Sequence, residues 1–168
     1  MKKKTKIISK YLFTFMLAAF IGWLYEIVTI NIMYHQYYDR GVLHLPMCPI
    51  YGFGVLFLDA VLHKVKNGFL YFLGSFLTAT ALELGASYIL EYGFGMVLWS
   101  YSDWPLNFQS RISLISSCIF GLMAVFYAKL LKPGIEKLFE KLPLKITAGT
   151  TFFIALFCTV WELVCIFR

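Results

Sequence analysis

The sequence has 168 residues, of which 60% are apolar, 19% are aromatic and only 14% are charged. A soluble domain of this length needs more polar surface, so the composition excludes a water-soluble globular protein and indicates an integral membrane protein. The formal net charge of +6 comes mainly from lysines beside apolar stretches, which is explained by membrane topology and anionic lipid, and no feature indicates a nucleic-acid partner.

Five apolar stretches, separated by short connectors, predict an all-α, polytopic transmembrane helical bundle that forms a single integral membrane domain over residues 1–168. A helix needs about 20 residues to cross a hydrocarbon layer of about 30 Å. The second stretch reaches only about 20 Å, so either the run from Val42 contributes through Pro46 and Pro49, or this segment is tilted or re-entrant. The predicted spans are Tyr11–Met33, Ile50–Leu62, Gly68–Leu90, Ile112–Leu131 and Ile146–Phe167.

Lysines predict the orientation, because short cytoplasmic flanks collect positive charge. Every lysine lies before the first span, between the second and third, or around the link between the fourth and fifth. This pattern places the N-terminus in the cytoplasm and the C-terminus outside, in a multi-pass membrane protein. The other cations, Arg40, Arg111 and Arg168, then lie on the outer side.

We expect Lys132-Pro133-Gly134 to end the fourth span and a short amphipathic helix to follow it. Its apolar residues at helical spacing are Ile135, Leu138, Phe139 and Leu142. Such a helix lies on anionic lipid or, alternatively, docks a partner such as an ATPase.

Three glutamates within the predicted spans, Glu26, Glu83 and Glu162, fall at nearly the same depth in the outer half. A charged side chain in a bilayer needs a partner, a watery cavity or a function. Each glutamate lies on a stripe of small or weakly polar residues, so we expect all three to face other helices. They line an outward-facing polar cavity in one interpretation. In the other, they are helix-packing elements that are protonated or paired with Arg40 and Arg111.

Two loop segments carry family-like motifs. Arg40-Gly41 leads to Cys48-Pro49-Ile50-Tyr51-Gly52, and Tyr101-Ser102-Asp103 leads through Pro105 and Asn107 to Arg111. Together with Gly22-Trp23, Glu26 and Ala81-Leu82-Glu83, these motifs closely resemble the bacterial family called Putative ABC-transporter type IV, or CmpB-like. The resemblance covers roughly Phe20 to Leu131.

We expect a membrane permease or substrate-binding subunit of a transporter, and the resemblance implies an ABC-type affiliation and a place in the bacterial cytoplasmic membrane. Five spans barely enclose a pathway, so we expect a homo-oligomer or a partner subunit such as a separate ATPase. Pro49 suits the first turn of a helix whose free N–H groups then face an anionic group, or it simply starts a membrane helix. We expect the loop from Trp99 to Arg111 to be a binding element or lid, or part of an interfacial aromatic belt. The candidate substrate-binding residues are Glu26, Arg40, Cys48, Tyr51, Glu83, Tyr101, Asp103, Asn107, Arg111 and Glu162.

Two other functions stay open at this point. One is a membrane enzyme that acts on lipid-linked material at the outer leaflet, with Glu83 or Glu26 as base and Arg40 or Arg111 holding phosphate. The other is a regulatory or assembly protein that transports nothing. The sequence has no Gly-rich phosphate loop, no catalytic triad and no metal-ligand spacing, so we expect no ATP hydrolysis by this chain, no metal and no cofactor.

Overall fold

The computed structural model of the protein describes residues 2–35 and 46–166. Most of this part of the chain is helical, with one short β-hairpin. In chain order the elements are α1 (Lys2–Tyr34), α2 (Pro49–Leu62), α3 (Gly68–Tyr88) with a π-helical turn (Ile89–Gly93), β1 (Asn107–Phe108), β2 (Ile112–Ser113), α4 (Leu114–Phe126) with a second π-helical turn (Tyr127–Leu131), α5 (Lys132–Lys141) and α6 (Leu144–Ile166).

Three helices are long and apolar enough to cross a membrane: Lys4–Ile32, Gly68–Gly93 and Leu114–Lys141. Pro49–Leu62 and Lys145–Leu156 are shorter apolar helices. The prediction of a mainly helical membrane protein is therefore confirmed, while the count of five spans and the orientation of the termini stay predictions. The 14 residues of α2 reach only about 21 Å, which is too short to cross the hydrocarbon layer, and the tilted or re-entrant segment stays a prediction.

The chain divides into two compact units. The terminal unit consists of the chain up to Phe57 together with the segment from Lys132 onward, and the central unit is Leu58–Leu131. In the terminal unit α1 packs against α5 and α6. In the central unit α3 packs along α4.

The terminal unit buries several small and weakly polar side chains and exposes many large apolar ones. Thr14, Ala19 and Thr151 are buried, whereas Val28 and Phe153 are exposed. Small residues let helix backbones approach closely, and exposed large apolar residues suit contact with lipid. This distribution is the expected one for helices in a bilayer.

The prediction that Lys132-Pro133-Gly134 ends a helix is wrong, because helical structure continues from Leu114 to Lys141. The π-helical turn Tyr127–Leu131 comes shortly before Pro133. Proline has no N–H to donate to a carbonyl one turn earlier, and its ring crowds that carbonyl. A wider turn at this point lets the helix continue past the proline.

Helix α5 packs within the terminal unit through two of the four predicted apolar residues, while Leu138 is exposed. Ile135 and Phe139 are both buried, which confirms their predicted helical spacing. The ring of Phe139 lies 5.6 Å from the ring of Phe13 in α1, measured between centroids. Nearby, Lys10 Nζ lies 3.6 Å from Glu136 Oε1. The two buried side chains are therefore presented neither to lipid nor to a partner.

Small residues also hold α3 and α4 together in the central unit. Ser75 and Ser117 are fully buried, and the hydroxyl oxygens of Thr80 and Ser117 lie 2.8 Å apart, within hydrogen-bond distance. A Cβ at Gly121 would lie 2.8 Å from the ring of Phe72, so glycine permits this approach. The predicted stripe of small residues on α3 thus faces a neighbouring helix, at Ser75.

Polar residues fix where the central helices begin. Asn67 caps α3, because its side-chain oxygen accepts hydrogen bonds from the N–H groups of Phe69 and Leu70. Ser113 caps α4 in the same way. The helix begins at Leu114 and not at Ile112, because Ile112 and Ser113 belong to the β-hairpin.

The lysines of the central unit gather at one end. Lys129 Nζ donates a hydrogen bond of 3.2 Å to the carbonyl of Lys66, which joins the C-terminal end of α4 to the start of α3. We call this the lysine end. The opposite end of α3 and α4, which carries the connecting loop with Trp99 and Trp104, is called the aromatic end.

Candidate functional site at the aromatic end of the central unit

The loop between α3 and α4 is folded around a two-stranded antiparallel hairpin. Asn107 pairs with Ser113, and Phe108 pairs with Ile112. Gln109 and Ser110 form the turn with φ angles of 52° and 57°, and the N–H of Arg111 donates to the carbonyl of Phe108 at 3.0 Å. Two successive left-handed residues define a type I′ turn, which matches the twist of a hairpin. Arg111 is the residue directly after this turn.

This loop stores backbone strain. Leu106, Gln109 and Ser110 all have positive φ although none is glycine. Such conformations cost free energy and concentrate at functional sites. Asn107 holds the strained segment, because its amide donates to the Trp104 carbonyl at 2.9 Å and its side-chain oxygen accepts from the Ser110 N–H at 3.1 Å. Asn107 was predicted as a substrate-binding residue, and in the structure its side chain bonds to the loop backbone.

Arg111 lies among aromatic and acidic side chains. Its guanidinium forms an ion pair with Glu91 and lies 4.2 Å from the ring centroid of Tyr88 and 5.8 Å from that of Tyr92. The Arg111 side chain is 15% exposed, and within the described residues its buried Nε has no hydrogen-bond partner. The Trp99 indole donates to the Arg111 carbonyl at 3.0 Å. The guanidinium is therefore positioned by charge, by ring stacking and through its own backbone.

The end of α3 places these partners on one surface. Tyr88 and Tyr92 stack with ring centroids 6.0 Å apart and an interplanar angle of 11°. Glu91 lies between them in the π-helical turn Ile89–Gly93. Turns of this type are frequent at functional sites, because they redirect side chains within a helix. Glu91 was not among the predicted site residues, because it lies one residue beyond the end of the third predicted span. Its spacing from Tyr88 and Tyr92 was the available signal.

A cavity of about 200 Å³ adjoins this cluster. Glu91 and Arg111 line it together with Ser110, Trp99 and part of the loop that precedes Trp99. A cation, an anion and backbone polar groups thus meet in one concave region. Pockets with a few convergent polar groups are the usual form of a small-molecule site.

Glu83 lies further into α3 and is tied to the same loop. Its Oε1 accepts a hydrogen bond of 2.5 Å from the Tyr101 hydroxyl. Tyr101 in turn donates its N–H to the carbonyl of Ser110 at 2.8 Å, and its ring meets Trp104 edge to face. The ion pair of Arg111 therefore forms with Glu91, while Glu83 anchors Tyr101.

The other family-like motif forms a packing contact in the terminal unit. Tyr51 donates its hydroxyl to Glu26 Oε1 at 2.6 Å, and a Cβ at Gly22 would lie 2.2 Å from the Tyr51 ring. The Cys48 N–H donates to the carbonyl of Ala19 at 3.0 Å. Pro49 is the first residue of α2, as predicted from its fixed φ and missing N–H.

The expected free N–H groups at the start of α2 are partly used by the protein itself. The N–H of Cys48 is bonded to α1, and that of Tyr51 donates to the carbonyl of Cys48 at 3.1 Å. A Cβ at Gly52 would lie 2.8 Å from the carbonyl oxygen of Phe15. The motif Cys48-Pro49-Ile50-Tyr51-Gly52 therefore places the start of α2 against the middle of α1.

Three predicted site residues remain: Asp103, Arg40 and Glu162. Asp103 is exposed in the loop, where Ser102 Oγ lies 3.4 Å from its Oδ1. Arg40 lies outside the described residues. Glu162 belongs to α6, and its side chain is outside the described part of the structure.

The fold and the site define a helical membrane protein with a charged, aromatic cavity at one end of a helical hairpin. The chain belongs to the family described as Putative ABC-transporter type IV, whose model matches residues 13–166. This range includes both loop motifs and the three glutamates, so the predicted family is confirmed. No curated protein and no solved structure matches the chain.

Proposed function

We propose that this chain is a membrane subunit of an ABC-type transport system and that it binds a small anionic group through Arg111. The family description supports the affiliation with transport. Because the sequence lacks a Gly-rich phosphate loop, ATP hydrolysis is assigned to a separate partner subunit. Both compact units act together as one integral membrane domain in this proposal.

One observation carries the proposal: Arg111 is positioned beside a cavity by partners that an incoming anion can replace. A guanidinium forms two parallel hydrogen bonds with a carboxylate or phosphate. Glu91, the present anionic partner, is the more exposed of the pair, with 37% of its side chain accessible against 15% for Arg111. A ligand anion replaces Glu91 without creating a buried unpaired charge on Arg111.

The cavity sets the size of the group that binds. Its volume of about 200 Å³ is below the range of about 300–1,000 Å³ that is typical of sites for drug-sized ligands. A phosphate or carboxylate fits such a space, whereas a large solute does not fit entirely. Tyr101 and Asn107 are positioning residues in this scheme, because they hold the loop that carries Arg111.

A binding experiment with inorganic phosphate tests the proposal. The purified protein in phosphatidylcholine nanodiscs is titrated with phosphate, with chloride keeping the ionic strength constant, and its thermal unfolding is followed. We expect phosphate to raise the melting temperature of the wild type, since a ligand that binds the folded state stabilises it. Arg111→Lys keeps the positive charge but cannot form two parallel hydrogen bonds with the anion, so most of the rise in melting temperature should disappear.

Lys64→Gln is the matched control, because it removes an exposed cation at the lysine end. It should retain the phosphate effect. Without ligand, Arg111→Lys should lose less than about 1 kcal/mol of stability, since a partly exposed ion pair contributes little. An equal phosphate response in wild type and Arg111→Lys, or no response in the wild type, would contradict the proposed site.

A further inference from the structure

The cavity beside Arg111 has two chemically different walls. Glu91 and Arg111 form the charged wall, and Met96, Val97 and Leu98 form an apolar one. The apolar residues are not covered by the protein: Val97 is 68% exposed and Leu98 is 57% exposed. An exposed apolar strip that leads into a charged cavity suits a ligand with a polar head and an apolar chain.

The position of the site along α3 matches the depth of lipid headgroups. From Gly68 at the lysine end to Glu91 the helix rises roughly 35 Å at 1.5 Å per residue, including its π-helical turn. The hydrocarbon core is about 30 Å thick, and the polar headgroup regions add a few ångströms on each side. A helix that enters the membrane at Gly68 therefore brings Glu91 and Arg111 to the level of the phosphates of the opposite leaflet. Trp99 is beside them, as expected of an aromatic side chain at a membrane interface.

Charge complementarity decides which amphiphile this site takes. The guanidinium of Arg111 needs an anion when Glu91 leaves it, so a neutral or cationic headgroup is disfavoured. The cavity holds the head alone, because about 200 Å³ leaves no room for a long chain. The chain must then extend along Met96, Val97 and Leu98 into the surrounding lipid.

We propose that the ligand of the Arg111 site is an anionic membrane lipid with a phosphate or carboxylate head. The head replaces Glu91 on Arg111, and the first part of the chain lies along Met96–Leu98. This inference rests on the proposed anion site and adds the chemical class of its ligand. No bond is made or broken in this exchange of partners.

A pair of phosphates tests the inference on the intact protein in phosphatidylcholine nanodiscs. Inorganic phosphate probes the head alone, and hexyl phosphate adds an apolar chain. We expect hexyl phosphate to bind at least about tenfold more tightly, because each buried methylene adds affinity. Hexanol, which has the chain without the charge, should give no effect that depends on Arg111. Nanodiscs that include phosphatidic acid should abolish the response to added hexyl phosphate by occupying the site.

Two loop variants form a matched pair for this test. Val97→Asn places a polar side chain on the apolar wall, so it should remove the advantage of hexyl phosphate over inorganic phosphate when the two are compared in the same variant. Leu106→Asn makes the same kind of change in the same loop, outside the cavity, at a residue with a positive φ that Asn tolerates. It should keep the advantage.

The results separate the two proposals. If inorganic and hexyl phosphate bind equally through Arg111, the anion site stands and the lipid inference is overturned. If the response to hexyl phosphate persists in Arg111→Lys, it reflects partition into the bilayer, and the lipid inference is likewise overturned. If neither phosphate has an effect, the anion site itself is wrong.

Discussion

The two units each contain a tyrosine bonded to a glutamate of a long membrane helix, and they use this pair differently. Tyr51 donates to Glu26 in the terminal unit at 2.6 Å, and Tyr101 donates to Glu83 in the central unit at 2.5 Å. In both cases the tyrosine comes from the segment that follows the glutamate's helix. A hydroxyl donor satisfies a carboxylate that would otherwise be costly to place in a membrane.

The surroundings of the tyrosines differ. Tyr51 lies in the regular helix α2, and its ring packs closely against Gly22 of α1. Tyr101 lies in a loop that contains a strained hairpin, an arginine and a cavity. A half-buried glutamate with a tyrosine donor is therefore by itself a packing device. A binding site needs in addition a cation and space for a ligand.

Gly22→Ala is the change with the largest expected effect, because it disrupts the close packing of α1 against α2 in the terminal unit. The new Cβ would lie 2.2 Å from the Tyr51 ring, which is itself held by Glu26. Overpacking of this kind costs about 1–3 kcal/mol, and we expect a loss near the upper value. Gly54→Ala is the control in α2, since a Cβ there meets nothing within 4 Å. Thermal unfolding in detergent measures both, and equal stability of the two variants would refute the packing role of Gly22.

Removing each tyrosine hydroxyl tests whether the two tyrosine–glutamate pairs have different roles. Tyr51→Phe and Tyr101→Phe each lose a hydrogen bond to a carboxylate, so both should be destabilised by about 1–2 kcal/mol. Tyr101→Phe should in addition weaken the response to inorganic phosphate, because Tyr101 anchors the loop of Arg111. Tyr11→Phe, an exposed position in α1, is the control and should change neither property. A weaker phosphate response in Tyr51→Phe as well would show that the two units are not specialised as described.

The smallest expected effect concerns the strain in the hairpin turn. Ser110→Gly relieves the left-handed conformation at φ 57°, so it should raise stability by at most about 1 kcal/mol. The same change should loosen Arg111 and lower its affinity for phosphate. Ser102→Gly is the control in the same loop, at a position without a positive φ. If Ser110→Gly raises both stability and phosphate affinity, the strain does not serve to position Arg111.

The amino-acid sequence by itself determined the class of the protein and where most of its helices lie. Long apolar runs must be helical in a bilayer, because every backbone polar group has to be bonded internally. Pro49 and the apolar runs act locally, so the predicted starts of the second and third spans, Ile50 and Gly68, lie within a residue of the starts of α2 and α3. The family motifs were equally readable, because they consist of neighbouring residues.

Tertiary structure alone decided which side chains meet. Arg111 pairs with Glu91, twenty positions earlier in the chain, and Glu83 is left to Tyr101. The reason is the hairpin, whose turn uses Gln109 and Ser110 in a conformation that glycine or asparagine usually signals. Because neither Gln109 nor Ser110 is typical of such a turn, the sequence did not predict that Arg111 lies at the end of α3. The π-helical turns were not predicted either. Their hydrogen bonds join residues five apart instead of four apart, and one such turn leaves the pattern of apolar residues almost unaltered.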